Sequence, residues 1–513
     1  MMDDKDVDSE EATATQAPSD HELFIGLVGP IGVDLDAVTD ELTKSLATVD
    51  YYVQTVRITD VLQQLDAPRQ ICGINQVTET PADARIHELM TFGNELCAKT
   101  GLEDAMALLG VIGVQAMRHS ASSHTRRAYI IRQFKRPSEI QALRRLYGEH
   151  FVVIAAYSDK KRRIEKLCRL IGESENSMDY DRFESRASAL VTRDEDEEIE
   201  HGQKLRDTFW RADLFVDPSQ RQPLASSIRR FIDLLFGLTI STPTRDEAAM
   251  FTAWGASMRS ASMARQVGAC LIDSIGSVVA TGTNEVPQAF GGVYWEGDQP
   301  DGRDHHKGWD ESDLHRGEMI AQVFDELKGA GWLSKDLDGR SAQELTEEVL
   351  GSKGILKRTR AAGVMEYVRA VHAEQCALAD AARRGVPTSG LTMAVTTFPC
   401  HECARLIVAA GIKELCYVEP YSKSLAKQMY GDSISFDSKE SGKILFRPYL
   451  GVAPQIYSRL FSSEGVNRKD VTGKLIVPDA ASSTLRLTYQ GSRLRIEEAE
   501  STYAFPLLDD QKS

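Results

Sequence analysis

The apolar positions of this chain fall into two patterns. Short unbroken runs of Val, Ile, Leu, Phe and Ala alternate with longer stretches in which apolar residues recur every three or four positions. From His21, "HELFIGLVGPIGVDLDAVTDELTKSL" passes from such a run through a glycine turn into an amphipathic helix. "FVVIAAYS" (151–158) follows the helical "PSEIQALRRLYGEH" and precedes the basic "DKKRRIEKLCRLIG", and "ADLFVD" (212–217) leads into "PLASSIRRFIDLLFG". "AMALLGVIGVQAM" (105–117), behind Glu103 and Asp104, reads as a buried helix. Unbroken apolar strands alternating with helices predict a parallel sheet covered on both faces. "GLTISTPTR" at 237–245 collects turn residues and marks the end of this first unit.

A second α/β unit opens with the helical "DEAAMFTAWGASMRSASMARQVG" and the strands "ACLID" and "SVVATGTNE". The polar "GGVYWEGDQPDGRDHHKGWDESD" that follows reads as an ordered loop or lid. Helical periodicity resumes at about 315–327, 341–350 and 364–384, and the strand "LTMAVTTF", helix "PCHECARLIVAAG" and strand "IKELCYVEP" complete the unit. The expected organisation is an acidic disordered tail at 1–20, a first domain at 21–240, a second at 246–440 with a long insert at 290–365, and an extension at 441–513. No internal repeat is seen.

Composition narrows the function classes. Apolar content of 42% and charged content of 27% are those of a globular chain, and no run approaches the ~18 apolar residues of a membrane span. The acidic N-terminus lacks the order of a signal peptide, so a cytoplasmic location is expected. The eight cysteines form no regular framework; in that compartment a close pair points to metal or redox chemistry rather than disulfides, and Cys72, Cys97, Cys168, Cys270 and Cys416 read as core. A net charge of −16 disfavours binding of long nucleic acid, which depends on basic surface.

The chemistry gathers in two places. "TTFPCHECARLIVAAG" holds Cys400 and Cys403 at the start of a helix that Pro399 introduces and Gly411 ends. "VHAEQCALADAARRG" holds His372 and Glu374 at the start of another, closed by Arg383, Arg384 and Gly385. Two helix N-termini aimed at one place favour thiolates, the form in which cysteine binds metal. His372, Cys400 and Cys403 make three ligands, which is the number a catalytic zinc uses, whereas a structural site is closed by a fourth. Cys376 and His401 are the candidates for closing such a clip, and a redox cysteine pair is the other alternative. Neither accounts for Glu374. At about 100° per residue Glu374 lies roughly 200° around a helix from His372, so both reach one site only beyond the helix tip. H-x-E followed by P-C-x-x-C is the pattern of zinc nucleobase deaminases, in which the glutamate shuttles protons.

The stretches "RSASMARQVGACLIDSIGSVVATGTNEVP", "HAEQCALADAARRG" and "TTFPCHECARLIVAAGIKELCYVEPYSKSLA" resemble the deoxycytidylate deaminase family. The resemblance implies Zn2+ on His372, Cys400 and Cys403, with Glu374 as catalytic proton shuttle. It also implies Asn284 against sugar and base, the Ala373 backbone facing the pyrimidine, and Arg259 and Tyr421 near the phosphate. The chain is longer than ordinary members. With "RRAYIIRQFKRPSEIQALRRLYGEHFVVIAAYS", "GQKLRDTFWRADLFVD" and "FRPYLGVAPQIYSRLF" it is similar to larger bacterial enzymes that join a P-loop kinase-like domain to a deoxycytidylate deaminase domain. That likeness implies an N-terminal parallel-sheet domain and a C-terminal cytidine-deaminase-like α/β/α domain. It also implies deamination of dCTP or dCMP in anti-phage defence, a homo-oligomer, and restraint by a regulatory nucleotide or a small RNA. "FGGV" with Tyr294 and Trp295 fits a nucleotide-sensing element in this group.

The N-terminal loop departs from a working P-loop, G-x-x-x-x-G-K-[ST]. "GPIGVDLD" sets Gly29 first, keeps a turn at Gly32, and places Asp34, Leu35 and Asp36 where glycine, lysine and hydroxyl belong. A kinase architecture without ordinary kinase chemistry is expected. The basic residues Arg126, Arg127, Arg132, Lys135 and Arg136, with those from Lys160 to Arg163, read as a solvated face or a contact to phosphates or RNA, and Asp304, His305 and His306 as a polar loop or a second metal site. The alternatives for the whole chain are an editing deaminase acting on RNA or single-stranded DNA, a regulatory nucleotide-binding protein, and a nucleotide kinase.

Overall fold

The computed structural model describes residues 22–480 apart from 75–76, 121–125, 196–204, 352–353, 365–366, 420–423, 438–439 and 464–467, and also 483, 485 and 486. The tail expected at 1–20 and the family tyrosine Tyr421 lie outside these residues. The described strands are β1 (Glu22–Val28), β2 (Tyr52–Arg57), β3 (Arg127–Phe134), β4 (Phe151–Ala156), β5 (Leu214–Val216), β6 (Gly268–Ile272), β7 (Val278–Thr283), β8 (Thr392–Thr397), β9 (Glu414–Glu419), β10 (Ile434–Ser435), β11 (Ile444–Pro448) and β12 (Gly451–Val452). Two compact units result: one from the residues up to 242 together with those from 450, the other from 243–449.

The first unit is built on a six-stranded sheet in the order β12-β5-β4-β1-β3-β2. β1 to β5 run parallel, and β12 pairs antiparallel with β5 at the edge. β1 and β4 are buried at every position, as strands covered on both faces must be. The helix Leu35–Ala47 begins where the Asp34 side chain accepts from Ala37 N at 3.2 Å, a cap worth about 1 kcal/mol. It turns Leu35, Val38, Leu42 and Leu46 into the core, and Leu224, Ile228, Phe231 and Leu235 of the helix Arg221–Leu235 meet them there. The extension placed at 441–513 divides between the units: β11 pairs with β9, while β12 and the helix Pro454–Phe461 join the first sheet and its core.

The second unit carries a sheet ordered β10-β11-β9-β8-β6-β7. β10, β11, β9 and β8 are parallel, and β6 lies antiparallel between β8 and β7. Two glycines bring helices onto this sheet. A Cβ at Gly282 in β7 would stand 2.0 Å from Ala373 O and 2.4 Å from Ala377 N, and one at Gly268 in β6 would stand 1.8 Å from Ala253 O. The backbones of the helices Ala373–Arg383 and Arg245–Ser257 therefore rest directly on the strands. The helical pattern at 364–384 resolves differently from expectation. Its helix starts only at Ala373, because Val371 pairs with Glu285 in an extended bridge and donates to its carbonyl at 3.0 Å. Within the insert, the helices Glu311–Gly329 and Ala342–Leu350 form, while the polar stretch before them holds only the short helix Asp304–Lys307 and the bridge between Pro287 and Val293. No described helix is long and apolar enough to cross a membrane.

Candidate metal centre

The centre lies past the carboxyl end of β8, where parallel strands of an open sheet commonly leave room for a ligand. His372 is the N-cap of the helix Ala373–Arg383, with extended backbone (φ −72°, ψ 157°), and its N–H donates to the Gln375 side chain at 3.1 Å. Cys400 is the N-cap of the helix His401–Ala409, and its sulfur accepts from Cys403 N at 3.4 Å. Both helices thus start at the same spot, and Glu374 and His372 reach it from the helix tip.

His372 Nδ1 lies 3.2 Å from Cys403 Sγ and 3.4 Å from Cys400 Sγ. Bonds of about 2.3 Å to sulfur and about 2.0 Å to nitrogen at tetrahedral angles set such donors about 3.5 Å apart. The three atoms therefore fit the edges of one zinc coordination shell. Neither Cys376 nor His401 belongs to the group. The Cys403 thiol and the His372 ring, both hydrogen-bonded to Cys400, hold its thiol far below the usual range, at about 4. The same contact with Cys400 raises His372. Two cysteine sulfurs and an imidazole nitrogen form a donor set suited to zinc. Glu374 is 4% exposed and meets the Cys403 sulfur, and burial pushes its carboxyl up to about 7. A buried carboxyl near neutrality is able to take up and release a proton under ordinary conditions.

Ala373 is fully buried as the first helical residue. Asn284 sits nearby with both ends of its amide committed to backbone: Oδ1 accepts from Val267 N and Nδ2 donates to Arg265 O, each at 2.6 Å. Arg259 lies in the same lacework, since Ser260 Oγ donates to Asn284 O at 2.7 Å. Two further residues join this arrangement. Glu285, 2% exposed, accepts from Ala261 N and Val286 N and so ties the Arg259 segment to the end of β7. Trp295 lies against the guanidinium of Arg259. The sequence places Trp295 with "FGGV" in an expected nucleotide-sensing element, and its contact with Arg259 is visible only in three dimensions.

The loop at Gly29 and Gly32 is of another kind. Gly32 takes φ +84°, and a Cβ there would stand 2.7 Å from Arg163 O, so the turn needs glycine. The Ile31 N–H donates to Asp194 Oδ2 at 2.6 Å, and Lys135 Nζ donates to Asp194 Oδ1 at 2.5 Å and to Gly29 O at 2.9 Å. Asp36 takes Arg132 at 2.6 Å. Of the basic residues, Arg136 is buried against Glu139 and Asn94, and Arg126 donates to Val49 O. These residues are therefore largely engaged by internal partners, whereas Lys160, Lys161 and Arg162 at the start of their helix are exposed. The other histidine cluster, Asp301 with His305 and His306, is half open to solvent, and Arg303 already engages its carboxylate.

Residues 243–419 match the family model for the cytidine and deoxycytidylate deaminase zinc-binding region. The chain is 40% identical over 65 residues to the ComE operon protein 2 of Bacillus subtilis (strain 168), covering 12% of this chain and 34% of that protein. It is 48% identical over 54 residues to the deoxycytidylate deaminase of Enterobacteria phage T2, covering 10% of this chain and 29% of that protein. The matched stretches thus span about a third of these relatives' own length. The crystal structure of dCMP deaminase from the cyanophage S-TIM5 is 18% identical over 41% of this chain and 100% of that chain, with a TM-score of 0.22, too low to carry geometry across. The His372, Cys400 and Cys403 group accordingly falls inside a stretch that matches a zinc-binding deaminase region.

Proposed function

We propose that this chain is a zinc-dependent hydrolase that converts deoxycytidine nucleotides, dCMP or dCTP, to the uracil nucleotides and ammonia. One observation carries the reading: the half-buried His372 grouped with the buried Cys400 and Cys403, with no fourth ligand in the group among the described residues, and the buried Glu374 carboxyl beside it. Zinc bound there supplies the Lewis acid that activates water for attack on an amidine carbon. His372, Cys400 and Cys403 hold it at the tips of two helices. Glu374 would carry the protons: it would take one from the attacking water and deliver it to ring N3 as the C4–O bond forms, then take the proton of the new C4 hydroxyl and deliver it to the exocyclic amine, so that ammonia departs as the C4–N bond breaks and the C4 carbonyl forms. The Ala373 backbone lines the pyrimidine side, and Arg259 and Tyr421 serve the phosphate. Asn284 contributes by fixing the 265–267 backbone, and in this conformation its amide reaches the sugar only by exchanging those bonds.

The first unit is read as a kinase-like scaffold without phosphoryl-transfer chemistry. Leu35 and Asp36 stand where a P-loop needs lysine and hydroxyl, and Asp194 takes the loop N–H that would face a phosphate. Loss of dCTP in a phage-infected cell, assembly as a homo-oligomer, and restraint by a nucleotide or small RNA rest on the sequence resemblance. The reading is tested by ammonia release from cytidine, CMP, deoxycytidine, dCMP, dCTP and a cytosine-containing oligonucleotide. Turnover of dCMP or dCTP is expected. Turnover of the oligonucleotide alone would replace this reading with an editing one.

A further inference from the structure

Arg259 makes no ion pair among the described residues. It follows the helix Arg245–Ser257, and its Nη2 donates to Val293 O at 3.3 Å. Its Nε is buried with no acceptor among the described residues. The two carboxylates that act on it through space are committed elsewhere. Glu285 accepts from Ala261 N and Val286 N at 2.7 and 2.8 Å, and Asp298 accepts from Trp295 N at 2.8 Å. A guanidinium so placed carries a desolvation cost that an incoming anion would offset.

Trp295 fixes that guanidinium. Arg259 Cζ stands 3.3 Å from the centroid of the indole ring, the tightest cation–aromatic contact among the described residues. The ring is 56% exposed, so core packing does not explain its place. A small hairpin does. Pro287 bridges Val293, Gln288 N donates to Gly292 O at 3.0 Å, and Tyr294 N donates to Val286 O at 3.2 Å. Phe290, Gly291 and Gly292 turn the chain at φ 70°, 106° and 82°. The hairpin is rooted beside the metal centre, because Glu285, one residue before it, accepts from the N–H of Val371, the neighbour of His372.

A guanidinium stacks through its face and binds phosphate through its edge, so one contact does not compete with the other. We propose that Trp295 is a positioning residue that holds Arg259 as the seat for the substrate's 5′-phosphate, and that this pair sets the preference for nucleotides over nucleosides. The inference rests on the deaminase reading above and extends it to the substrate class. The "FGGV" stretch then acts as the turn that delivers Trp295.

The test compares dCMP with deoxycytidine in the zinc-loaded full chain and in Trp295→Leu and Trp295→Phe variants, with thermal melts showing that each is folded. Binding is read by calorimetry in a Glu374→Gln background, where turnover is blocked, and kcat and KM are read with Glu374 intact. Trp295→Leu is expected to lower the ratio of dCMP to deoxycytidine affinity about tenfold, through KM rather than kcat, and Trp295→Phe to recover most of it. An equal change for both ligands, or none for either, overturns the role of Trp295. Selective binding of dCMP without any turnover overturns the deaminase reading and leaves the anion seat standing.

Discussion

The two units place the same local device in opposite service. In each, a parallel strand ends in a turn and a helix begins, presenting backbone N–H groups at the carboxyl edge of a sheet. After β1 the turn holds Gly29 to Asp34, and its Ile31 N–H faces a carboxylate from its own chain, Asp194, which Lys135 also grips. After β8 the turn holds Cys400, and the helix beginning at Ala373 brings His372 to within 3.4 Å of its sulfur. In the first place the donors are matched and the charges cancel. In the second, two thiols and a carboxyl are buried beside a half-buried imidazole, a donor set that can hold a metal ion. The difference teaches that helix-start geometry makes a site available, and side-chain chemistry decides whether anything is left to bind.

The comparison breaks most visibly if the second site is unmade. Cys403→Ser should abolish zinc retention and reduce deamination at least about 10³-fold, measured by metal analysis and ammonia release on the same preparation. Next comes the support beneath the ligands. Gly282→Ala drives a methyl group into the backbone of the Ala373–Arg383 helix, and it should weaken zinc about 10- to 100-fold in chelator competition while leaving all three ligands in the sequence. Effects in the first unit should be confined to stability. Asp194→Asn leaves Lys135 without its counter-charge and is expected to cost about 2 kcal/mol in urea unfolding, with the deaminase rate unchanged. The smallest effect is that of Asp34→Ala, which removes the cap of the Leu35–Ala47 helix and should cost about 1 kcal/mol in the same assay. If Asp194→Asn instead altered the rate as strongly as Gly282→Ala, the division of labour between the two units would be wrong.

Much of this was legible in the sequence, for identifiable reasons. The strands β1, β4, β6, β8 and β9 are apolar runs bounded by turn residues, and their period and flanks suffice to find them. His372, Glu374, Cys400 and Cys403 were legible because ligand chemistry restricts residue type and helix-start signals flank both motifs. Other features depend on partners distant in the chain. The helix expected from 364 begins at 373 because Val371 is claimed by Glu285. β12 is two residues long and exists because β5 offers it an edge. Asp194 lies 163 residues from the Ile31 N–H that it accepts, and no local pattern announces that pairing. Trp295 and Arg259 likewise meet only after the hairpin folds.

The central claim is that the triad holds a zinc whose hydrolytic work requires Glu374. The most direct measurement is ammonia release from dCMP and dCTP by zinc-loaded protein, with Glu374→Gln prepared alongside and the zinc content of both determined. The account predicts about one zinc per chain in both proteins, turnover in the first, and a loss of at least about 10³-fold in the variant. Equal turnover by the two, or none by zinc-loaded protein in which Glu374 is intact, would contradict it.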